Sequence, residues 1–454
     1  MKKIVLTLAA GMVFSWQGLS FAGSSVDALI QKLEDKGILT DQDANQIKGE
    51  IASDEQESQK STFKSLLPDW INGLKIGGDF RLRDQVNRRK IPGGGTNQGG
   101  NNLVQNRGRI RARLNIEDQI NDKVKVGITL ATEGGKDSGT LGNSRSNNLT
   151  FGGNGGTGSG SFSKAYIAID KAWATYTPNE YVTLTGGKMA NPIWEPANLL
   201  WDPDLTPEGG VIQLQKKLDD LITPFSTNAF FVLKDNAPAT TTTGTRTDPY
   251  IFITQDGIKG NLTEKVYYKA AGSYYNLSNP SHVLLDNSLS STGNTLSSTS
   301  ASLYDYNYSL VGGAVDLGMN DPFGEFLPSP LYVPQIGVFG EYFKNMDPSH
   351  QNSAWMMGGY MGNSAINGWG TWKLQSFYKI LERDSWVDCF PDDDFYSGYT
   401  DTKGWRSELD LGLAKNVWFV MSYFRTNVFK YYGTGAFSKS APENLFQMDL
   451  DFKF

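Results

Sequence analysis

The sequence predicts an all-β chain, a transmembrane antiparallel β-barrel of about sixteen strands (roughly 14–18) with a short N-terminal helical segment. Three observations predict it. From about Asn72 onward, apolar and polar residues alternate with a period of two. The connections between these stretches are alternately short and long. The mean hydropathy is negative, and no apolar run after the N-terminus is long enough for a membrane-crossing helix. A barrel reconciles these, because each spanning strand shows lipid only every second residue. The 50 glycines and the 12 % aromatic content among 454 residues fit the same architecture.

The N-terminus has the pattern of a secretion signal over residues 1–22. Lys2 and Lys3 form the charged start, Ile4 to Phe14 the apolar stretch, and Ser20-Phe21-Ala22 the small-x-small cleavage site. Residues 23–68 then read as a helical hairpin and linker in the periplasm. Val26, Leu29, Ile30 and Leu33 follow helical spacing, Gly37 suits a helix stop, and Thr40 is placed as an N-cap. Such a segment serves as an oligomerisation or cell-wall-contacting element, or as a spacer. The barrel proper is assigned to residues 69–454.

Sixteen strands are expected, at 72–83, 106–118, 122–132, 163–176, 180–189, 210–217, 223–234, 250–260, 264–276, 304–318, 330–344, 353–362, 369–382, 403–413, 415–427 and 444–454. Gln119–Asp122, Thr177–Glu180, Asn261–Glu264 and Leu413–Asn416 are short turns between them, whereas 84–105, 133–162, 277–303 and 383–402 are long and polar. Membrane barrels have short turns at the periplasmic end and long loops outside. The join at 319–329 breaks the pattern, being long where a short turn belongs. The last strand alternates well: Phe446, Met448, Leu450, Phe452 and Phe454 share one face, and Gln447, Asp449, Asp451 and Lys453 the other.

Several function classes are disfavoured. Removing two charges, Lys2 and Lys3, takes the formal net charge from −6 to −8, which argues against nucleic-acid binding. The one cysteine, Cys389, has no partner for an internal disulfide, and no Cys/His cluster suggests a metal. Asp392-Asp393-Asp394 could gather Ca²⁺ but also reads as a solvated acidic run. The two histidines, His282 and His350, stand in polar stretches rather than opposite a nucleophile, so no enzyme and no cofactor is expected.

The residues also resemble a family. A terminal strand of alternating apolar residues ending in Phe454 resembles the assembly signal of bacterial outer-membrane proteins. Gly78-Asp79-Phe80-Arg81-Leu82-Arg83, then Arg107-Gly108-Arg109-Ile110-Arg111-Ala112-Arg113-Leu114, resemble the opening strands of the putative porin family of proteobacteria. Trp201-Asp202-Pro203-Asp204-Leu205-Thr206-Pro207-Glu208-Gly209 and Thr400-Asp401-Thr402-Lys403-Gly404-Trp405 are two later landmarks. The resemblance covers nearly the whole mature chain. It implies a water-filled barrel in the bacterial outer membrane, often a homotrimer, delivered by the barrel-assembly machinery, through which small hydrophilic solutes diffuse passively.

The strongest local feature is an arginine ladder. Arg107, Arg109, Arg111 and Arg113 share one face of a strand, about 6–7 Å apart, opposite Ile110, Ala112, Leu114 and Ile116. An arginine facing lipid near the midplane costs about 2–4 kcal/mol, so the ladder is expected to face the lumen. Arg81 and Arg83 on the preceding strand, and Lys123 and Lys125 on the following one, extend it into a basic wall that favours anions or shapes the lumen through ion pairs. The third long loop, about Ala190 to Gly209, carries Trp194, Leu199, Leu200 and Trp201 among Glu195, Asp202, Asp204 and Glu208. Burying its apolar residues would fold it inward as a constriction and bring the acids toward the basic wall. It could instead cap the rim or contact another subunit. The inward Asp449, Asp451 and Lys453 make the lumen mixed in charge, which leaves a weak anion preference. A surface-binding or structural barrel (adhesin, receptor or envelope tether) is the alternative.

Overall fold

The computed structural model describes residues 73–90, 102–133, 144–152, 166–235, 248–278, 293–297, 300–324, 332–430 and 442–454. The expected secretion signal and helical segment lie outside these residues. Among the described residues the chain is almost entirely β, with one three-residue 3-10 turn at Tyr396–Gly398.

Sixteen strands form the barrel. They are β1 (Lys75–Lys90), β2 (Asn102–Asn121), β3 (Val124–Glu133), β4 (Tyr166–Asn179), β5 (Val182–Lys188), β6 (Glu208–Gln215), β7 (Thr223–Val232) and β8 (Tyr250–Asn261). The second half comprises β9 (Val266–Leu277), β10 (Tyr308–Asn320), β11 (Gln335–Asn345), β12 (Ser353–Gly362), β13 (Trp372–Leu381), β14 (Thr402–Ala414), β15 (Val417–Val428) and β16 (Glu443–Lys453). Each pairs antiparallel with its sequence neighbour, and β1 pairs with β16 to close the cylinder. Every predicted segment carries one of these strands. A two-residue strand, Leu149–Thr150, adds to β2, and a small hairpin of Leu296–Ser297 and Ser300–Tyr304 sits in the β9–β10 loop.

The first hairpin extends past its expected end for a physical reason. β1 runs to Lys90 and begins pairing with β2 at Lys90↔Asn102, well past the predicted end at residue 83. The added stretch, Asp84 to Lys90, is polar on both faces. Beyond the bilayer neither face of a hairpin needs to be apolar, so the alternation disappears while the backbone ladder continues. The β10–β11 connection (321–334) falls at the short-turn end, and Asp321 there has a φ of 47°.

Parity assigns the two surfaces. On β16, Gln447, Asp449 and Asp451 are buried inside, while Phe446, Met448, Leu450 and Phe452 alternate with them on the outside. At the seam, the Gly78 amide donates to the Phe454 carbonyl at 2.8 Å, and the Phe454 amide donates back to Gly78 at 3.0 Å. Gly78 is needed there: a Cβ would lie 2.7 Å from the Phe454 ring and also strike the Arg113 carbonyl.

The outward face of β16 yields a test. Leu450→Arg places a charge on the apolar surface and should cost about 2–4 kcal/mol near the midplane. Folding into lipid vesicles, followed by the heat-dependent gel shift, should show a reduced folded fraction. Ser422→Arg, on the lumenal face of β15, should fold nearly as well as the parent. Equal losses for both would contradict the assigned parity.

Candidate functional site

The lumen is built from one basic wall, two inward loops and a band of paired charges. Register places Arg81 opposite Arg111 and Arg83 opposite Arg109 on β1 and β2. The same parity puts Arg107 and Arg113 on the inner face. Such crowding needs acids, and three elements supply them. Arg83 donates to Asp449 at 2.7–2.8 Å and to Asp394 at 3.0 Å. Arg113 donates to Asp79 at 2.9 Å, and Arg111 to the same carboxylate at 3.2 Å. Arg81 donates to Asn148 at 2.5 Å and lies 3.6 Å from Asp449. Among the described residues Arg107 and Arg109 form no ion pair; Arg109 has long contacts, to Gln85 at 3.3 Å and Ser146 at 3.4 Å.

The third long loop (189–207) turns into the barrel. It leaves through Gly187 (φ 116°) and returns through Gly209 (φ 156°), paired across β5 and β6, where a Cβ on either residue would strike a neighbouring carbonyl. Leu199 and Leu200 are fully buried and Trp201 nearly so. The β13–β14 loop (382–401) turns in as well and meets them. Trp201 packs on Phe390 at 5.0 Å and on Trp386 at 5.8 Å, with Tyr275 of β9 completing the cluster. An apolar core therefore occupies one side of the barrel interior.

Polar staples hold both loops. Gln255 of β8 accepts from the Trp194 amide and donates to the Trp194 carbonyl, both at 2.9 Å. The buried Lys379 of β13 donates to the Asn198 carbonyl at 2.8 Å. Arg145 reaches the carbonyls of Asp388, Pro391 and Gly398. Between the loops, the Asp202 amide donates to the Phe390 carbonyl at 2.7 Å, and the Asp393 amide donates to the Asp202 carboxylate at 2.9 Å.

A cavity of about 390 Å³ lies between the basic wall and these loops, and a second of about 370 Å³ lies beside Asn115, Lys171 and Met189. Asp204 approaches Arg111 at 3.5 Å and Arg113 at 3.9 Å. Arg406 and Glu408 of β14 form a further pair on its lining. Carboxylate oxygens of Asp202, Asp392 and Asp393 lie within 4.8 Å of one another. Burial, with repulsion from Asp394, pushes the Asp393 carboxyl up to about 7. Burial and the neighbouring Asp393 also hold Asp202 well above the usual range. Burial opposes ionisation of Asp394, but the Arg83 guanidinium outweighs it and keeps that carboxyl low. Guanidinium groups thus fill the electrostatic place that a cation could take beside the Asp392–Asp394 run.

The other predicted site residues are placed differently. Lys123 is exposed in the β2–β3 turn, so it adds nothing to the wall. Lys125 is on β3, paired with Glu117 and near the Trp173 ring. Glu195 lies within the third loop, half-buried near Lys379, and desolvation pushes its carboxyl up to about 8. Glu208 begins β6, pairs with Lys188 at 2.9 Å and shares the outward parity of Ile212. Only Asp202 and Asp204 of the four loop acids line the cavity. The inward β13–β14 loop went unrecognised in the sequence, although Trp386, Val387 and Phe390 carry the same burial signal that marked the third loop.

A closed cylinder with an apolar exterior, charged interior and inward loops defines an outer-membrane β-barrel channel. The family model described as "Putative porin" matches residues 35–309 and 337–454, and the chain belongs to that family. It is an outer-membrane porin, a channel rather than an enzyme. No curated protein sequence matches it. Among solved structures, it is similar to OprB of Pseudomonas putida at 8 % identity, covering 85 % of this chain and 95 % of that one, with a TM-score of 0.48. A loop-deletion mutant of OmpT from Vibrio cholerae shares 9 % identity over 84 % of this chain and 100 % of that one, with a TM-score of 0.42. A mutant of Rh. blastica porin shares 10 % over 84 % and 100 %, with a TM-score of 0.39.

Trp201 is the side chain through which the third loop grips the β13–β14 loop, the seventh at the long-loop end. Trp201→Ala should cost about 3–5 kcal/mol of packing and release the two loops from each other. Single-channel conductance in planar bilayers should rise while the barrel keeps its heat-dependent gel mobility. An unchanged conductance would mean that this packing does not set the passage.

Proposed function

We propose that the chain forms a passive diffusion channel for small hydrophilic solutes and ions, with a constriction at the third loop and a weak preference for anions. The observation that carries this reading is the placement of Asp204 and Asp394 against Arg111, Arg113 and Arg83 across a single cavity. Opposite charges on two sides of a narrow passage set up a transverse field. That field orients dipolar solutes and makes entry depend on charge. The loop core supports a fixed constriction, because moving it would expose buried tryptophans to water.

Anion preference rests on imbalance rather than on the number of arginines. Among the described residues Arg81, Arg83, Arg111 and Arg113 form ion pairs with carboxylates, whereas Arg107 and Arg109 form none, although Asp393 and Asp394 lie within electrostatic reach of Arg109. The latter two lie toward the long-loop end of β2, where a solute arrives from outside. A homotrimer is proposed as the working assembly. Residues 1–22 are proposed as a cleaved signal, and residues 23–68 as a periplasmic element.

Two measurements test the reading. Replacing Arg107 and Arg109 together by Gln removes unpaired charge without breaking an ion pair. Under a salt gradient, the zero-current potential should shift toward cations by several millivolts or more; an unshifted potential would end their role in selectivity. The second test is pH. The raised Asp393 is favoured by the fold in its protonated form, so it gains charge as the pH rises from about 6 to about 8. The added negative charge should weaken anion preference, and the contact between the loops should loosen over the same window. Selectivity that strengthens for anions on alkalinisation would contradict the assignment.

A further inference from the structure

The outer surface of the barrel carries polar groups where lipid should be. On β8, Tyr250, Phe252, Thr254, Asp256 and Ile258 share the outward face, because Ile251, Ile253 and Gln255 are buried within. Asp256 is exposed. It has no side-chain hydrogen bond or ion pair among the described residues. The register sets Ser226 of β7 beside Asp256, and Asn228 beside Thr254. On the other flank, Gly272 of β9 lies beside Asp256, and Gly313 of β10 beside Gly272.

Depth makes this patch informative. Tyr268 marks the short-turn side of β9, its hydroxyl donating to the Leu221 carbonyl at 2.9 Å, and Tyr274 marks the other side. Six residues separate these tyrosines, about 20 Å along the strand. Gly272 and its neighbour Asp256 fall between them, inside the apolar band. A carboxylate there meets hydrocarbon that offers it no donor. Apolar residues surround the patch: Ile212, Phe230, Phe252 and Ile258 are all exposed on this side. Gly313 is required by close packing, since a Cβ there would lie 2.7 Å from the Ala271 carbonyl, but Gly272 and Gly210 are not. A Cβ on Gly272 would meet nothing nearer than 3.9 Å, and one on the outward Gly210 nothing within 4 Å. They leave a shallow surface around the polar groups.

We infer that the outward face of β7–β9, centred on Asn228, Thr254, Asp256 and Gly272, is the contact surface for a second copy of this chain. The patch carries both halves of the chemistry it needs. The Asn228 amide, which donates to Ser226 at 3.0 Å, has a second N–H. The Ser226 and Thr254 hydroxyls are further donors, and the Asp256 carboxylate is an acceptor. Two copies inserted in the same membrane sit at the same depth. Donors of one copy therefore meet acceptors of the other without any adjustment in height. Close to a symmetry axis the patch faces its own copies, whether that axis is twofold or threefold. A lipid chain can satisfy none of these groups. The inference rests on the porin reading for its membrane setting.

Cross-linking in intact outer membranes tests it. The native thiol, Cys389, is buried, so the parent chain serves as the blank. Asn228→Cys, treated with a short bis-maleimide, should give a band of twice the monomer mass. Met448→Cys, outward on β16, should not. Adding Asp256→Leu to Asn228→Cys should lower the cross-linked yield several-fold while the heat-dependent gel shift of the monomer persists. No dimer band at Asn228→Cys, a band at Met448→Cys instead, or a yield insensitive to Asp256→Leu would each overturn the inference. Cross-linking only to a band of other mass would assign the surface to a different protein and also overturn it. Conductance of the same preparations separates the two readings. Conducting channels without cross-links remove the interface alone; cross-links without conductance remove the channel alone.

Discussion

Closure of the sheet is the constraint on which the other features depend. A strand edge inside hydrocarbon would leave a row of backbone donors and acceptors unpaired. The β1–β16 seam removes that edge, with eleven residue pairs running from Asp79↔Lys453 to Arg89↔Glu443. Once the cylinder is closed, every strand residue faces either lipid or lumen, and parity alone decides which. The arginines of β2 are inward because Ile110, Ala112 and Leu114 take the lipid. The same rule sends Glu208 outward and leaves Asp256 facing the bilayer. Side chains that look equivalent in composition thus end in opposite environments.

A sixteen-stranded cylinder is wider than its own side chains can fill. The third and seventh loops solve this by placing a small apolar core inside a polar lumen. Trp201, Trp386 and Phe390 bury one another, and the backbone polar groups they carry inside must be satisfied. Gln255, Lys379 and Arg145 do so from three different directions. The two loops stabilise each other, since neither contributes enough apolar surface alone. The loops consequently fill one side of the lumen, and a cavity remains beside the basic wall.

Much of this was legible in the sequence, and the exceptions have identifiable causes. Period-two alternation and unequal connections located all sixteen strands, because lipid and water impose opposite demands on adjacent residues. The extension of β1 to Lys90 was hidden where both faces meet water. Lys123 was read as wall because two lysines shared parity, but the chain turns at Asp122–Lys123 before the strand begins. The infolding of the third loop followed from its tryptophans and leucines. Which of its acids reach the wall did not, because loop direction is set by tertiary partners such as Gln255. The seventh loop was readable by the same burial argument applied to Trp386 and Phe390. The outward position of Asp256 was also readable from parity, and it conflicts with a lipid setting only once the strand's depth is known.

The lumen and the outer wall show one principle at two sites: a charge persists in the barrel where a partner is built for it. Asp79, Asp204, Asp394 and Asp449 are partners for four arginines. Arg107 and Arg109 lack such ion-pair partners among the described residues. They are half-buried on the lumenal face. Asp256 also lacks a partner among the described residues, but it lies on the outward face of β8. Water lowers the cost of an unpaired lumenal charge, whereas hydrocarbon does not. An unpaired arginine inside therefore points to a solute, and an unpaired carboxylate outside points to another protein surface.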